Sequence, residues 1–271
     1  MARIATRLPG ERTLAEEDRN RIAAIRGELI RIGNDWRERH PFLAAHQDGV
    51  GMAVFLMSIA GVVVDAALYA AGILPWYATI LITAFWLSLL QRAIVTAYIK
   101  HEARSPEEAR QLAAKTLALY FPLGTIHYAL WHLFIGLHVY EFVSGNTVSG
   151  SWVTALNFVA VTLLAPNAVR TFCLHFVSSD MHYYGDVEEH NVMQQTQVWT
   201  AKWLKPFHAL CFNFGETHAI HHFLVRDPFY LREAIKHDCQ KVLRDNGVRF
   251  NDFGTFGRAN RFSLAPAHVE P

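Results

Sequence analysis

The residues with the clearest capacity for chemistry lie in the run Asn213-Phe-Gly-Glu-Thr-His218-Ala-Ile-His221-His222-Phe223. His218, His221 and His222 stand at positions i, i+3 and i+4, which share one face of a helix, so the three imidazoles can point the same way. Imidazole is the commonest protein ligand for iron, zinc and copper, and this spacing reads as a metal site rather than as three satisfied core residues. Upstream, His175 and His182 are two helical turns apart and fall on one stripe with Ser178 and Ser179. The expected metal ligands are therefore His175, His182, His218, His221 and His222. Asp180, Asp186, Glu188, Glu189 and Glu216 are nearby carboxylates able to fix a histidine tautomer, although such acids are more often simply solvated.

The elements that must position these histidines are apolar. The chain has 271 residues, of which 52% are hydrophobic, a high share for a soluble domain. A net charge of +1 gives no electrostatic reason for a nucleic-acid partner. Cys173, Cys211 and Cys239 are odd in number and form no CxxC pair, which suits reduced thiols. Residues 1–47 are polar and Arg-rich, with no signal-peptide pattern. Within residues 11–40, Ile22, Ile25, Leu29 and Ile32 recur at helical spacing. That helix is expected at a membrane surface or against a cytosolic domain, or as an ordinary solvated helix.

Four apolar stretches follow, at about 50–73, 76–99, 117–143 and 152–172, each near the ~20 residues a spanning helix needs. Asp65 interrupts the first, and Arg92 lies near the end of the second. Trp76, Tyr77, Tyr140 and Trp152 mark their ends, as interfacial aromatics do. Gly72-Ile-Leu-Pro75 allows only a tight hairpin. Lys and Arg crowd the N-terminal region, the 100–115 loop and the segment after Phe172, whereas the 73–76 and 144–150 turns carry no charge. The positive-inside rule then places both termini in the cytoplasm. The expectation is an all-α, polytopic membrane protein forming a single domain: a cytosolic N-terminal helix in 1–47, two hairpins in 50–172 and a cytosolic helical cap carrying the histidines in 173–271.

Other histidines carry less. His127, His132 and His138 fall inside the third apolar stretch, as functional candidates or as polar helix contacts. His190, His208, His237 and His268 read as surface residues. His101-Glu102 resembles the start of HExxH, but Ser105 stands where the second His would be, and Ser105-Pro106-Glu107-Glu108 reads as a helix start.

A histidine-bound iron at a membrane face has an evident use, since iron activates O2 for attack on an unactivated C–H bond. An acyl chain dissolved in the bilayer would be bound by burial, at about 0.8 kcal/mol per CH2. The motifs His175-Phe-Val-Ser-Ser-Asp-Met-His182-Tyr-Tyr-Gly-Asp186, the 213–223 run and Asp227-Pro-Phe-Tyr230 together resemble the integral-membrane fatty acid desaturase and hydroxylase superfamily. The resemblance implies a non-haem di-iron centre, O2, a fatty-acyl or lipid substrate, and electrons from a cytochrome b5- or ferredoxin-type partner. It matches His218, His221 and His222 to the third histidine box, and His175 or His182 to the extra ligand before it.

The chain departs from that pattern where the family has two earlier boxes. The position reads Trp86-Leu-Ser-Leu-Leu-Gln91-Arg-Ala-Ile-Val95, with His101 the one histidine between 91 and 116, as though a segment between Leu90 and Gln91 were lost. Three readings follow: an oxidoreductase recruiting His101, or His127 and His138, in place of the missing ligands; a desaturase-like protein with an incomplete metal site; or a haem-binding membrane subunit or small transporter.

Overall fold

A computed structural model describes residues 14–99, 106–225 and 227–264. These residues are helical: α1 (Glu16–Arg39), α2 (Pro41–Ala45), α3 (Gln47–Ala70), α4 (Trp76–Ile99), α5 (Pro106–Ser144), α6 (Ser151–Val159), α7 (Ala165–Met181), α8 (Val192–Gln195), α9 (Lys205–Leu210), α10 (Phe214–Phe223) and α11 (Phe229–Asp245). Among the described residues there is no β-strand, only isolated bridges between His182 and Thr196 and between Val198 and Phe250. His101, Ser105 and His268 lie outside the described residues. The chain divides into two compact units, Gly51–Thr171 and Met1–Val50 with Phe172–Pro271.

In α3, within the unit Gly51–Thr171, the usual burial pattern is inverted. The buried residues of α3 are Ser58 and Asp65, while Met52, Leu56, Met57, Val63 and Val64 are exposed. Water would penalise such a surface, whereas lipid would not. Thr83 of α4 donates to the Asp65 carboxylate at 3.4 Å, so the one acid within α3's apolar run has a partner inside the hairpin. Gly61 lets the two helices close, because a Cβ there would lie 2.4 Å from the Trp86 ring. Among the described residues, three helices are long and apolar enough to cross a membrane: Gln47–Ala70, Trp76–Ile94 and the continuous Ser151–Met181. The expected third span, now α5, is not among them, since His127, His132 and His138 lower its hydropathy.

The last of the three long helices is interrupted by one wide turn, Ala160–Leu164, where the Ala165 N–H reaches back to the Ala160 carbonyl. Pro166 accounts for it: proline has no N–H for the Thr162 carbonyl, and its ring crowds the preceding turn. The helix widens instead of breaking and continues as α7.

The second unit has an ordinary apolar core. Glu16, Glu17 and Asp18 open α1, and Arg37 and Arg39 close it, both favourable to the helix dipole. Its buried stripe is Ile22, Ile25, Leu29 and Gly33, which packs on Leu231, Ile235, Cys239, Val242 and Leu243 of α11 together with Ala219, Ile220 and Phe223 of α10. Of the alternatives for this helix, the structure shows packing within the unit. Arg37 pairs with Asp227 at 2.5 Å and ties α1 to the turn between α10 and α11. Leu29 is fully buried in this cluster, so Leu29→Ala is expected to cost about 2–5 kcal/mol, read as a lowered midpoint in denaturant unfolding followed by Trp fluorescence.

Candidate metal centre

The helix that carries the 218–222 cluster begins under constraint. Phe212 and Asn213 are both left-handed, with φ of 48° and 50°. Asn tolerates that conformation, but a bulky Phe adopts it only where its surroundings demand it. The Asn213 side chain donates to Glu233 on α11 at 2.9 Å, and its carbonyl accepts the Glu216 and Thr217 N–H groups that start α10. Gly215 follows, in a space where a Cβ would lie 2.4 Å from His208 Nε2 and 3.2 Å from Trp199 Cβ. Together these features fix the rotation of α10 about its own axis, and hence the direction of its histidines.

His182 comes from the residue after α7. Its Nδ1 lies 2.5 Å from the Ser178 carbonyl, which can only accept, so Nδ1 carries the proton and the lone pair is on Nε2. Asn260 donates to the His182 carbonyl at 2.8 Å and holds the backbone. The result is a convergence: His182 Nε2 is 3.0 Å from His218 Nε2, and His222 Nε2 is also 3.0 Å from His218 Nε2. His182, His218 and His222 each offer one ring nitrogen, and the three lie within 4.8 Å of one another. Phe214 stacks on the His218 ring at 4.1 Å between centroids and fixes its plane.

Three imidazole nitrogens grouped in this way could hold one metal ion. With metal–nitrogen bonds of about 2.0–2.1 Å, each pair of nitrogens 3.0 Å apart would subtend roughly 90° at an ion. Burial, with His182 close by, pushes the His222 imidazole down to about 4, so this ring is neutral at ordinary pH, as coordination would require.

Two of the five expected ligands stand apart from the group. His175 is exposed on α7, two turns of helix before His182, and is not part of the group that His182 forms with His218 and His222. His221 is held by Arg232 of α11, whose guanidinium donates to His221 Nδ1 at 2.8 Å and to the Asp227 carbonyl at 2.9 Å. Arg232 is almost wholly buried, and nothing in the spacing of its sequence neighbours marks it. Three of the carboxylates expected around the imidazoles are engaged elsewhere. Asp186 binds Phe262 and Ser263, Glu188 binds Asn191, and Glu216 pairs with Lys236 at 2.5 Å. A backbone carbonyl orients His182 instead.

The histidines of the third apolar stretch are occupied elsewhere. His132 bonds within its own helix to the Tyr128 carbonyl, His138 meets Glu141 and Asn157, and His127 faces Asn167.

His208 corrects an expectation. It is not a surface residue but 1% exposed, enclosed by Trp199 and Gly215. The apolar run Ala209-Leu210-Cys211-Phe212 beside it is the signal that points inward. Its Nδ1 lies 3.9 Å from the Glu216 carboxylate, too far for a hydrogen bond.

No protein-family model, no curated protein and no solved structure matches this chain. The reading of the site therefore rests on its geometry.

His208 makes a pH prediction. Burial holds its imidazole below the ordinary value of 6.5, with Lys236 adding to that and Glu216 opposing it. A depressed folded value means that the unfolded chain takes up the proton first. The contribution of His208 to stability is thus complete above about pH 6.5 and is lost as pH falls through its folded value. His208→Gln is expected to lose less stability than the parent between pH 7 and pH 5, measured by denaturant unfolding at both.

Proposed function

We infer that this chain is a membrane-embedded, histidine-box oxidoreductase of the desaturase and hydroxylase kind, acting on fatty-acyl or lipid chains with iron and O2. The observation that carries the reading is the convergence of His182 with His218 and His222. His182 follows α7 and the other two lie on α10, and their nitrogens meet at ligand spacing. Polytopic membrane insertion, with both termini cytoplasmic, is part of the proposal. Its support is the inside-out burial of α3, the three long apolar helices and the placement of Lys and Arg along the chain. The resemblance supplies the rest: an electron donor of the cytochrome b5 or ferredoxin type.

Each residue then has a task. His182, His218 and His222 would hold the ion through Nε2. The Ser178 carbonyl keeps the His182 proton on Nδ1, away from the ion. Phe214 and Gly215 keep the His218 ring where its nitrogen meets the other two. Iron held there would supply O2 activation, which no side chain provides alone. The substrate chain would gain about 0.8 kcal/mol for each CH2 it buries.

The count of three ligands favours a second reading, in which the site binds one ion and does not turn over. The resemblance implies two ions, and the described residues bring together one group of three. Metal analysis and turnover separate the two. On the first reading, protein expressed with iron carries iron, and reconstitution with a reduced electron donor consumes O2 and modifies added acyl lipid. On the second, metal is present and O2 uptake stays at background. On either, His218→Ala is expected to abolish the rise in melting temperature caused by added Fe2+ or Zn2+. For the parent that rise corresponds to about 2.7 kcal/mol at a hundredfold excess over Kd. A parent protein whose melting temperature no added transition metal raises would contradict both.

A further inference from the structure

Within the unit Gly51–Thr171, a charge lies among neutral partners. Arg170 of α7 is half-buried, and its Nη1 donates to the Gln91 side-chain oxygen on α4. Its Nη2 donates to Asn167 Oδ1 at 2.8 Å and to Thr171 Oγ1 at 3.1 Å. The Asn167 amide in turn faces His127 Nε2 of α5 at 3.5 Å. The cluster thus joins three helices, and no carboxylate among the described residues pairs with the guanidinium. Asp65 is engaged by Thr83, and Glu141 by His138 and the Val148 N–H.

Arginine cannot shed this charge by losing its proton. In a low-dielectric surrounding an unpaired guanidinium needs a counter-charge, and an ionisable residue in a spanning helix marks a functional site by default. Depth says what the counter-charge is. Arg170 is 19 residues on from Ser151 in one continuous helix, which at 1.5 Å per residue is about 28 Å, close to the ~30 Å of a hydrocarbon core. Where α6 begins at one interface, Arg170 is therefore level with the headgroups at the other. The anions fixed at that level are oxyanions attached to acyl chains, and guanidinium is the side chain best suited to carboxylate and phosphate.

We propose that Arg170, framed by Gln91 and Asn167, binds the oxyanion headgroup of an acyl lipid, a fatty-acid carboxylate or a phospholipid phosphate. Gln91, Asn167 and Thr171 hold the guanidinium in place without cancelling its charge. The inference rests on the bilayer placement of this unit and needs no metal.

The test is binding to purified full-length protein in neutral detergent with EDTA, so that the histidine centre contributes nothing. The probes are oleate, phosphatidic acid, oleyl alcohol and inorganic phosphate. Oleate or phosphatidic acid is expected to bind at least tenfold more tightly than oleyl alcohol, and whichever is tighter identifies the source. Arg170→Gln is expected to lose that tenfold preference, and Arg170→Lys, which keeps the charge, to retain most of it. Equal affinity of the parent for oleate, phosphatidic acid and oleyl alcohol overturns the proposal, and this arm needs no variant to fold. So does inorganic phosphate binding as tightly as the lipids, or a folded Arg170→Gln that keeps the preference.

Discussion

Ring nitrogens cannot point their lone pairs at one another from 3 Å unless something positive lies among them. That constraint governs His182, His218 and His222, whose nitrogens meet at hydrogen-bonding and ligand spacing at once. A shared proton relieves one pair, but three nitrogens converging on a point are relieved best by one cation. Around this group the protein limits what each ring can do. The Ser178 carbonyl fixes the His182 tautomer, and burial keeps His222 neutral. Arg232 occupies Nδ1 of His221, the neighbouring ring. One helix face thus yields two members of the histidine group and one anchored ring.

The surrounding fold exists to keep α10 from rotating. Its start is fixed by two left-handed residues and by a glycine against which His208 packs. Its end is fixed through Arg232 and Asp227, and Arg37 carries that restraint into α1. The apolar stripe of α1 against α11 provides the stiffness behind it. A turn of α10 by one residue would swing the histidines about 100° and dissolve the site. In the unit Gly51–Thr171, α3 and α4 obey a different solvent rule, since Ser58, Asp65, Thr79 and Thr83 are inside while Leu56, Met57, Val63, Val64, Leu81 and Ile82 are outside.

Periodicity carried a good deal of this. The stripe Ile22, Ile25, Leu29 is legible as 3.6-residue spacing and is the buried face of α1. The i, i+4 relation of His218 and His222 is likewise local and survives folding. His182 joining them depends on a long-range approach, for which the seven-residue step from His175 carries no information. The anchoring of His221 was illegible for a related reason, because Arg232 looks like any charge on an amphipathic helix until α11 turns it inward. His208 was misread because a single imidazole carries no period, so that only its apolar neighbours betray its burial. The hydropathy of α5 shows the limit from the other side: three histidines dilute an apolar run without ending the helix.

The central claim is that three histidines hold one ion, and X-ray absorption at the metal edge of protein loaded with a single equivalent of iron tests it most directly. The account predicts outer-shell scattering from three imidazoles around one iron and no metal–metal vector. A metal–metal vector near 3.5–4 Å, as in paired-ion sites, or a coordination shell without imidazole scattering, would contradict it.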